Sequence, residues 1–192
     1  MNNLISIIIG AMFVNNFVLT RFLGICPFIG VSKSTKPAVG MGIAVTSVMF
    51  FVSAITWPLY HYILEPFEME YMYIVVFIIV IASFVQFIEM FLKKYNQVLF
   101  RALGIYLPLI TTNCSIMGVA LINITKEYTF LESIIFGLSA GAGFMLALFL
   151  MSGIREKLEL GNVPKPFSGV AIAFITAAMM SMAFLVFGSI RL

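Results

Sequence analysis

Charge is what this sequence has least of. Only 10% of its 192 residues are Asp, Glu, Lys or Arg, whereas a soluble domain carries about a quarter. With 62% apolar residues and a mean hydropathy of +1.11, the chain cannot clothe a water-facing globule in polar groups. Two cysteines and one histidine are too few to complete a four-ligand metal centre from this chain alone. A net charge of +3 says little by itself, and no nucleic-acid partner is expected. No basic residue precedes the first apolar run and no small-residue cleavage site follows it, so no cleaved leader is expected. No strand-length alternation marks a barrel, and no connection is long enough to be a soluble domain.

What is present is a series of apolar runs, each near the roughly 20 residues needed to cross a bilayer. Six spans are expected, at about 3–25, 39–60, 71–92, 99–122, 130–152 and 169–190, forming one all-α integral membrane domain. The short connections are SKSTKP, HYILEPFEME, KKYNQ, NITKEY and REKLELGNVPKP. Connections one, three and five hold Lys33, Lys36, Lys93, Lys94, Arg101, Arg155, Lys157 and Lys165. Connections two and four hold one basic residue, Lys126, against Glu65, Glu68, Glu70 and Glu127. The positive-inside rule then puts the odd connections in the cytoplasm and both termini outside.

Two stretches share a pattern. Cys26-Pro-Phe-Ile-Gly30-Val31-Ser32 and Cys114-Ser-Ile-Met-Gly118-Val119-Ala120 both read C-x-x-x-G-V-small, with Leu19 and Leu107 seven residues upstream. They fall in the first span of each half (about 1–95 and 96–192). An odd number of spans per half makes the pair an inverted 3+3 repeat, whose sites lie on broken helices near the midplane. Chance matching in so biased a composition is the alternative.

The first span of each half reads as broken at its cysteine. A continuous helix from Leu4 to Val31 would be about 42 Å long, against a hydrocarbon core of roughly 30 Å. Asn15-Asn16 and Gly24-Ile25-Cys26-Pro27 interrupt the first span; Pro108 and Thr111-Thr112-Asn113-Cys114-Ser115 interrupt the fourth. Three roles are open to the thiols: packed small hydrophobes, a disulfide, or ligands of a soft-metal site completed by another chain. His61 belongs near the opposite face, where an interfacial role suits it better than ligation.

VNNFVLTRFLGICPFIGVSK (14–33), LGIYLPLITTNCSIMGVALINI (103–124) and IREKLELGNVPKPFSGVAIAFITA (154–177) resemble the A-subunit family of Rnf ion-translocating oxidoreductases. The resemblance runs the length of the chain. The related E subunit of the sodium-translocating NADH:quinone reductase is similar. There, however, an acidic residue is usual where Asn15 stands, and the proline after the cysteine is not expected. The resemblance implies that Cys26 and Cys114 ligate a [2Fe–2S] cluster shared with a homologous E-type subunit of opposite topology. It also implies flavin and iron–sulfur partner subunits, and electron relay from ferredoxin toward NAD coupled to sodium or proton export. The setting implied is a bacterial or archaeal cytoplasmic (inner) membrane.

Around the cysteines, Gly24 and Gly118 suit close backbone approach, and Pro27 belongs to the same break. Thr111, Thr112, Asn113 and Ser115 either bond cluster sulfurs or satisfy backbone groups freed by the break. Asn15 and Asn16 either offer amide oxygens to an ion path or cap the half-helices. Arg21 either steadies an anionic cluster or reaches the cytoplasmic interface. Glu89 is set to pair with Lys93 one turn on, with an ion path through Gln86 and Glu89 as the other reading. The rival function is a small secondary transporter with packed cysteines; a purely structural subunit is a third.

Overall fold

The computed structural model describes residues 2–66, 70–95, 107–161 and 169–188. Every regular element among them is a helix. Arg101, Lys165, Glu68, the first residues of the expected fourth span (99–106) and the last of the sixth (189–190) lie outside the described residues, as does the side chain of Lys93 and hence its pairing with Glu89.

In chain order the helices are α1 (Asn2–Ile9), continued by a π turn (Gly10–Val14), α2 (Ile25–Val31), α3 (Thr35–Leu59) with a π extension (Tyr60–Leu64), and α4 (Tyr73–Tyr95). Then come α5 (Leu107–Thr111), α6 (Cys114–Thr125), α7 (Phe130–Glu159) and α8 (Val170–Gly188). Four stretches are long and apolar enough to cross a membrane: Thr35–Leu64, Tyr73–Met90, Pro108–Thr125 and Phe130–Glu159. Two further apolar helices are shorter, Leu4–Val14 and Val170–Val186.

The centre of the molecule is the crossing of α3 and α7, the most extensive helix contact. Glycines four residues apart on α7 let the two backbones meet. A Cβ on Gly141 would stand 2.7 Å from Thr46 Cα, and one on Gly137 would strike Ser53 Oγ. Met41, Val45, Met49, Phe144, Leu148 and Met151 fill the crossing and are wholly buried. By contrast α4 and α8 lie at the sides and turn apolar residues outward, among them Ile78, Ile79, Phe87, Phe174, Met179 and Met182. In water such faces would be a liability; lipid or a neighbouring subunit covers them without penalty.

Of the boundaries that differ from the expected ones, three are informative. Helix α7 runs to Glu159, seven residues past the expected end of its span, because Arg-Glu-Lys-Leu-Glu are strong helix formers that extend it beyond the apolar stretch. Arg155 and Lys157 are therefore helical residues, not connection residues. Helix α3 starts at Thr35, four residues early, since Pro37 sits in its first turn, where a missing amide hydrogen is harmless. The first span leaves helical geometry after Val14, well short of residue 25.

Candidate functional site

The chain leaves helix between Val14 and Ile25, and the reason is visible at Asn16. Its buried amide takes over bonds that a continuing helix would have made. Asn16 Oδ1 accepts from the amides of Val18 (3.1 Å) and Leu19 (3.4 Å), while Nδ2 donates to Gly143 O (2.9 Å) and Met12 O (3.3 Å). Phe17, Val18 and Leu19 follow, all buried. The segment folds back on itself through Leu23 N to Phe17 O, 2.8 Å, and Thr20 N to Asn16 O, 2.9 Å. Other helices satisfy what is left: Ser181 of α8 donates to Leu19 O, and Ser115 of α6 donates to Leu23 O at 2.8 Å. Unwound backbone at membrane depth survives only when its polar groups are answered in this way.

Gly24 ends the segment at φ +81°, a conformation open chiefly to glycine. A Cβ there would strike Ser115 Oγ and stand 2.8 Å from Phe144 Cε2 and 3.0 Å from Asn113 Oδ1. The Gly24 amide donates to Cys114 Sγ at 2.8 Å. Helix α2 then starts, with Cys26 and Pro27 in its first turn. Proline is tolerated there because first-turn amides have no intrahelical acceptor. The cysteine thus stands where a new helix begins.

The approach to Cys114 is shorter. Helix α5 stops at Thr111, and two residues later α6 starts at Cys114. Asn113 makes the N-cap, its Oδ1 accepting from Ser115 N at 3.0 Å. The exposed Thr112 turns its hydroxyl back to Pro108 O, 2.9 Å. Gly118, one turn into α6, gives room to the unwound segment: a Cβ would stand 2.8 Å from Leu23 Cδ1 and 3.2 Å from Phe17 Cε1.

Both thiols are free and exposed, so neither is packed into the core nor joined to the other. The structure brings Gly24, Asn113, Ser115 and Cys114 into contact, with Cys26 two residues beyond Gly24 and Gly118 beneath. Asn113 Nδ2 is buried without a hydrogen-bond partner. The bond from Gly24 N–H to Cys114 Sγ is of the kind that the sulfurs of iron–sulfur centres accept. Two thiolates are half of the four that a [2Fe–2S] cluster takes. No group of three or more His, Cys, Asp or Glu is present among the described residues. The donor set therefore fits a shared cluster and not one held by this chain alone.

Asn15 lies beside this network, half-buried, its amide hydrogen given to Gly10 O at 2.6 Å. Arg21 is exposed. Arg155 has a part the sequence did not reveal. Only 5% exposed, it donates from Nη1 to Ile29 O (2.8 Å) and Ser32 Oγ (2.9 Å), placing a cation on the last turn of α2. Its neighbour Glu156 accepts from Thr35 N (2.8 Å) and Thr35 Oγ1 (2.7 Å) at the start of α3. The end of α7 thus clamps the corner between the Cys26 helix and α3. Gly143 and Ser181 were also missed; the small-residue run SAGAG and a serine in the apolar run of α8 were the available signals.

The family model described as "Rnf-Nqr subunit, membrane protein" matches residues 4–191. The chain is 55% identical to the A subunit of the Na(+)-translocating ferredoxin:NAD(+) oxidoreductase complex of Acetobacterium woodii over 189 residues, 98% of each chain. It is 48% identical to the A subunit of the ion-translocating oxidoreductase complex of Syntrophotalea carbinolica, over 99% of this chain and 98% of that one. It is 50% identical to the protein of the same name from Vibrio vulnificus, over 97% of both. The helical architecture, the apolar outer faces and this end-to-end similarity agree, and the chain belongs to the Rnf-Nqr family of membrane subunits.

Proposed function

We propose that this chain is the A-type membrane subunit of an ion-translocating ferredoxin:NAD oxidoreductase, and that Cys26 and Cys114 supply two of the four thiolates of a [2Fe–2S] cluster. A homologous E-type subunit of opposite topology supplies the other two, and flavin and iron–sulfur subunits complete the circuit. The observation that carries this reading is the pair of exposed, free thiols, each in the first turn of a helix, tied together through the Gly24 N–H···Sγ bond to Cys114.

When bound, the cluster supplies one-electron carriage at a depth where lipid offers none. The chain's own residues do the rest. In this reading Gly24 N–H, bonded to Cys114 Sγ, and Asn113 Nδ2, which has no partner of its own, are the donors to sulfur, a recognised lever on cluster potential. Asn16, Ser115 and Ser181 hold the unwound backbone that delivers Cys26. Phe17, Phe28 and Phe144, wholly buried, exclude water from the inner side. Coupling to export of sodium or protons belongs to the same proposal.

The six-span inverted repeat is part of this reading, with α1–α4 and α5–α8 as its halves. Helix contacts support it in pairs. The π turn after α1 packs on α8 as α5 packs on α4, α2 meets α8 as α6 meets α4, and α3 flanks α4 as α7 flanks α8. Near the end of each long helix a side chain bonds a carbonyl of the other half's cysteine helix or the turn after it: Arg155 to Ile29 O, and Trp57 Nε1 to Tyr128 O at 2.7 Å. Both termini then lie outside a bacterial or archaeal cytoplasmic (inner) membrane, a placement that the distribution of basic residues supports.

The test is the complex purified with its E-type partner. A reducible [2Fe–2S] EPR signal that disappears in Cys26→Ser and in Cys114→Ser, together with electron flux from ferredoxin to NAD, is the expected result. A complex lacking the signal yet keeping full flux in both variants sinks the reading. Cation or solute transport by the chain reconstituted alone would point instead to a secondary transporter.

A further inference from the structure

At the end of α3 remote from Lys33 and Lys36, a cavity of about 550 Å³ opens between the π extension, the end of α6 and the turn before α7. Its chemistry is one-sided. Glu65 and Glu127 both border it and both are exposed. Glu65 Oε2 lies 2.7 Å from His61 Nδ1, so that oxygen is engaged by the ring, whereas no ion pair among the described residues engages Glu127. Lys126, the neighbouring cation, holds its Nζ 5.7 Å from the centre of the Tyr128 ring, without an ion pair to either carboxylate. The C-terminal end of α6 adds the negative pole of a helix.

A second, independent observation comes from inside the cavity wall. Asn123 lines it, is only 2% exposed, and gives Nδ2 to Ser53 Oγ at 3.3 Å, yet its Oδ1 has no hydrogen-bond partner. Beside it Thr56 spends its hydrogen on Val52 O, 2.7 Å, which leaves the hydroxyl an acceptor to anything in the cavity. Backbone strain gathers at the rim as well: Glu127 sits at φ +49°, where a non-glycine residue costs about 1–2 kcal/mol. An unanswered amide oxygen, a hydroxyl acceptor and an unpaired carboxylate together ask for a cation.

We propose that this cavity binds a hydrated monovalent metal cation, with Glu127 as its counter-charge, Glu65 as a partial one and Asn123 Oδ1 as the inner oxygen. One uncompensated carboxylate suits a single positive charge. The volume of about 550 Å³ exceeds many times the roughly 30 Å³ of one water, so the ion keeps much of its shell and binds weakly. Choosing a monovalent ion rests on the ion-translocating reading above; the oxygen set does not. On that reading the cavity opens on the outer face and is the station from which the exported ion leaves.

Trp57 makes the test direct. It is the only tryptophan in the chain, borders the cavity, stacks on His61 with ring centres 5.2 Å apart, and bonds Tyr128 O. The whole complex is labelled with 5-fluorotryptophan, and the Trp57 ¹⁹F resonance is assigned by its loss in Trp57→Phe. Sodium chloride replacing N-methylglucamine chloride at constant ionic strength is expected to shift that resonance saturably, with a half-point in the millimolar range or weaker. Glu127→Gln is expected to raise the half-point about tenfold, since ligand charge sets the affinity of such sites. A shift that never saturates, one unchanged in Glu127→Gln, or saturation by micromolar calcium overturns the proposal. Redox-driven sodium uptake by vesicles carrying the complex separates the two claims. Uptake without a saturable shift overturns the site and leaves the reading standing. A saturable shift in a complex that moves no cation supports the site and overturns the reading.

Discussion

The two interruptions before the cysteines solve one problem by different means. Before Cys26 the chain runs non-helical from Asn15 to Gly24, held by its own Asn16 side chain reaching Gly143 O of α7 and by the hydroxyls of Ser115 and Ser181 on α6 and α8. Before Cys114 only Thr112 and Asn113 leave the helix, and the cap is local, from Asn113 to an amide two residues on. The first interruption depends on the assembled fold. The second is nearly self-sufficient. Their meeting point is the bond from Gly24 N to Cys114 Sγ, so the self-contained break serves as the anvil against which the long one is set.

That contrast predicts a ranking of substitutions. Gly24→Ala should be the most damaging, because the +81° conformation and the collisions with Ser115 and Phe144 act together. Left-handed strain of about 1–2 kcal/mol and overpacking of about 1–3 kcal/mol sum to a loss that thermal unfolding of the purified complex will register, with cluster content falling in parallel. Thermal unfolding unchanged to within a degree in this variant would break the account of the long interruption.

Next comes Asn16→Ala, set against Asn113→Ala. Removing the first leaves the buried amides of Val18 and Leu19 without their acceptor, at about 1–3 kcal/mol for each group left unsatisfied. Removing the second loses an N-cap, about 1 kcal/mol. Comparable destabilisation in the two would erase the distinction drawn here. Arg155→Lys belongs between them: lysine keeps the charge but lacks the planar guanidinium whose Nη1 meets both Ile29 O and Ser32 Oγ. A loss of about 1–3 kcal/mol is expected, read as faster proteolysis near the corner between α2 and α3.

The last substitution is read by potential more than by stability: Asn113→Asp keeps the capping oxygen while replacing the unpartnered Nδ2 by an acceptor. The new buried oxygen finds no donor, so a loss of about 1–3 kcal/mol accompanies it. The cluster's midpoint potential should fall, since a donor toward sulfur is lost and negative charge is added. A potential equal to wild type in a redox titration would mean that Nδ2 does not face the cluster.

How much of this was legible beforehand follows from what each feature rests on. The apolar runs and the small-residue pattern around both cysteines are local, and local chemistry can be read along a chain. Gly24 and Pro27 likewise announced a break. Asn15-Asn16 marked its other end, but that the whole stretch between is non-helical did not show, because Asn16 replaces a helix only by reaching Gly143, over a hundred residues away. Arg155 reads as an ordinary basic residue at a helix end until α2 is folded against it. The exposure of both thiols was hidden for the same reason: an apolar sequence context suggests burial, while the folded chain leaves them at the surface.

The central claim is that two differently built breaks serve one shared cluster, and counting iron tests it most directly. Iron and acid-labile sulfide are measured per complex for wild type, Cys26→Ser and Cys114→Ser, each purified with the E-type partner. The account predicts that either variant alone loses both iron atoms of one [2Fe–2S] unit, and to the same extent. A full complement of iron and sulfide in either variant contradicts it.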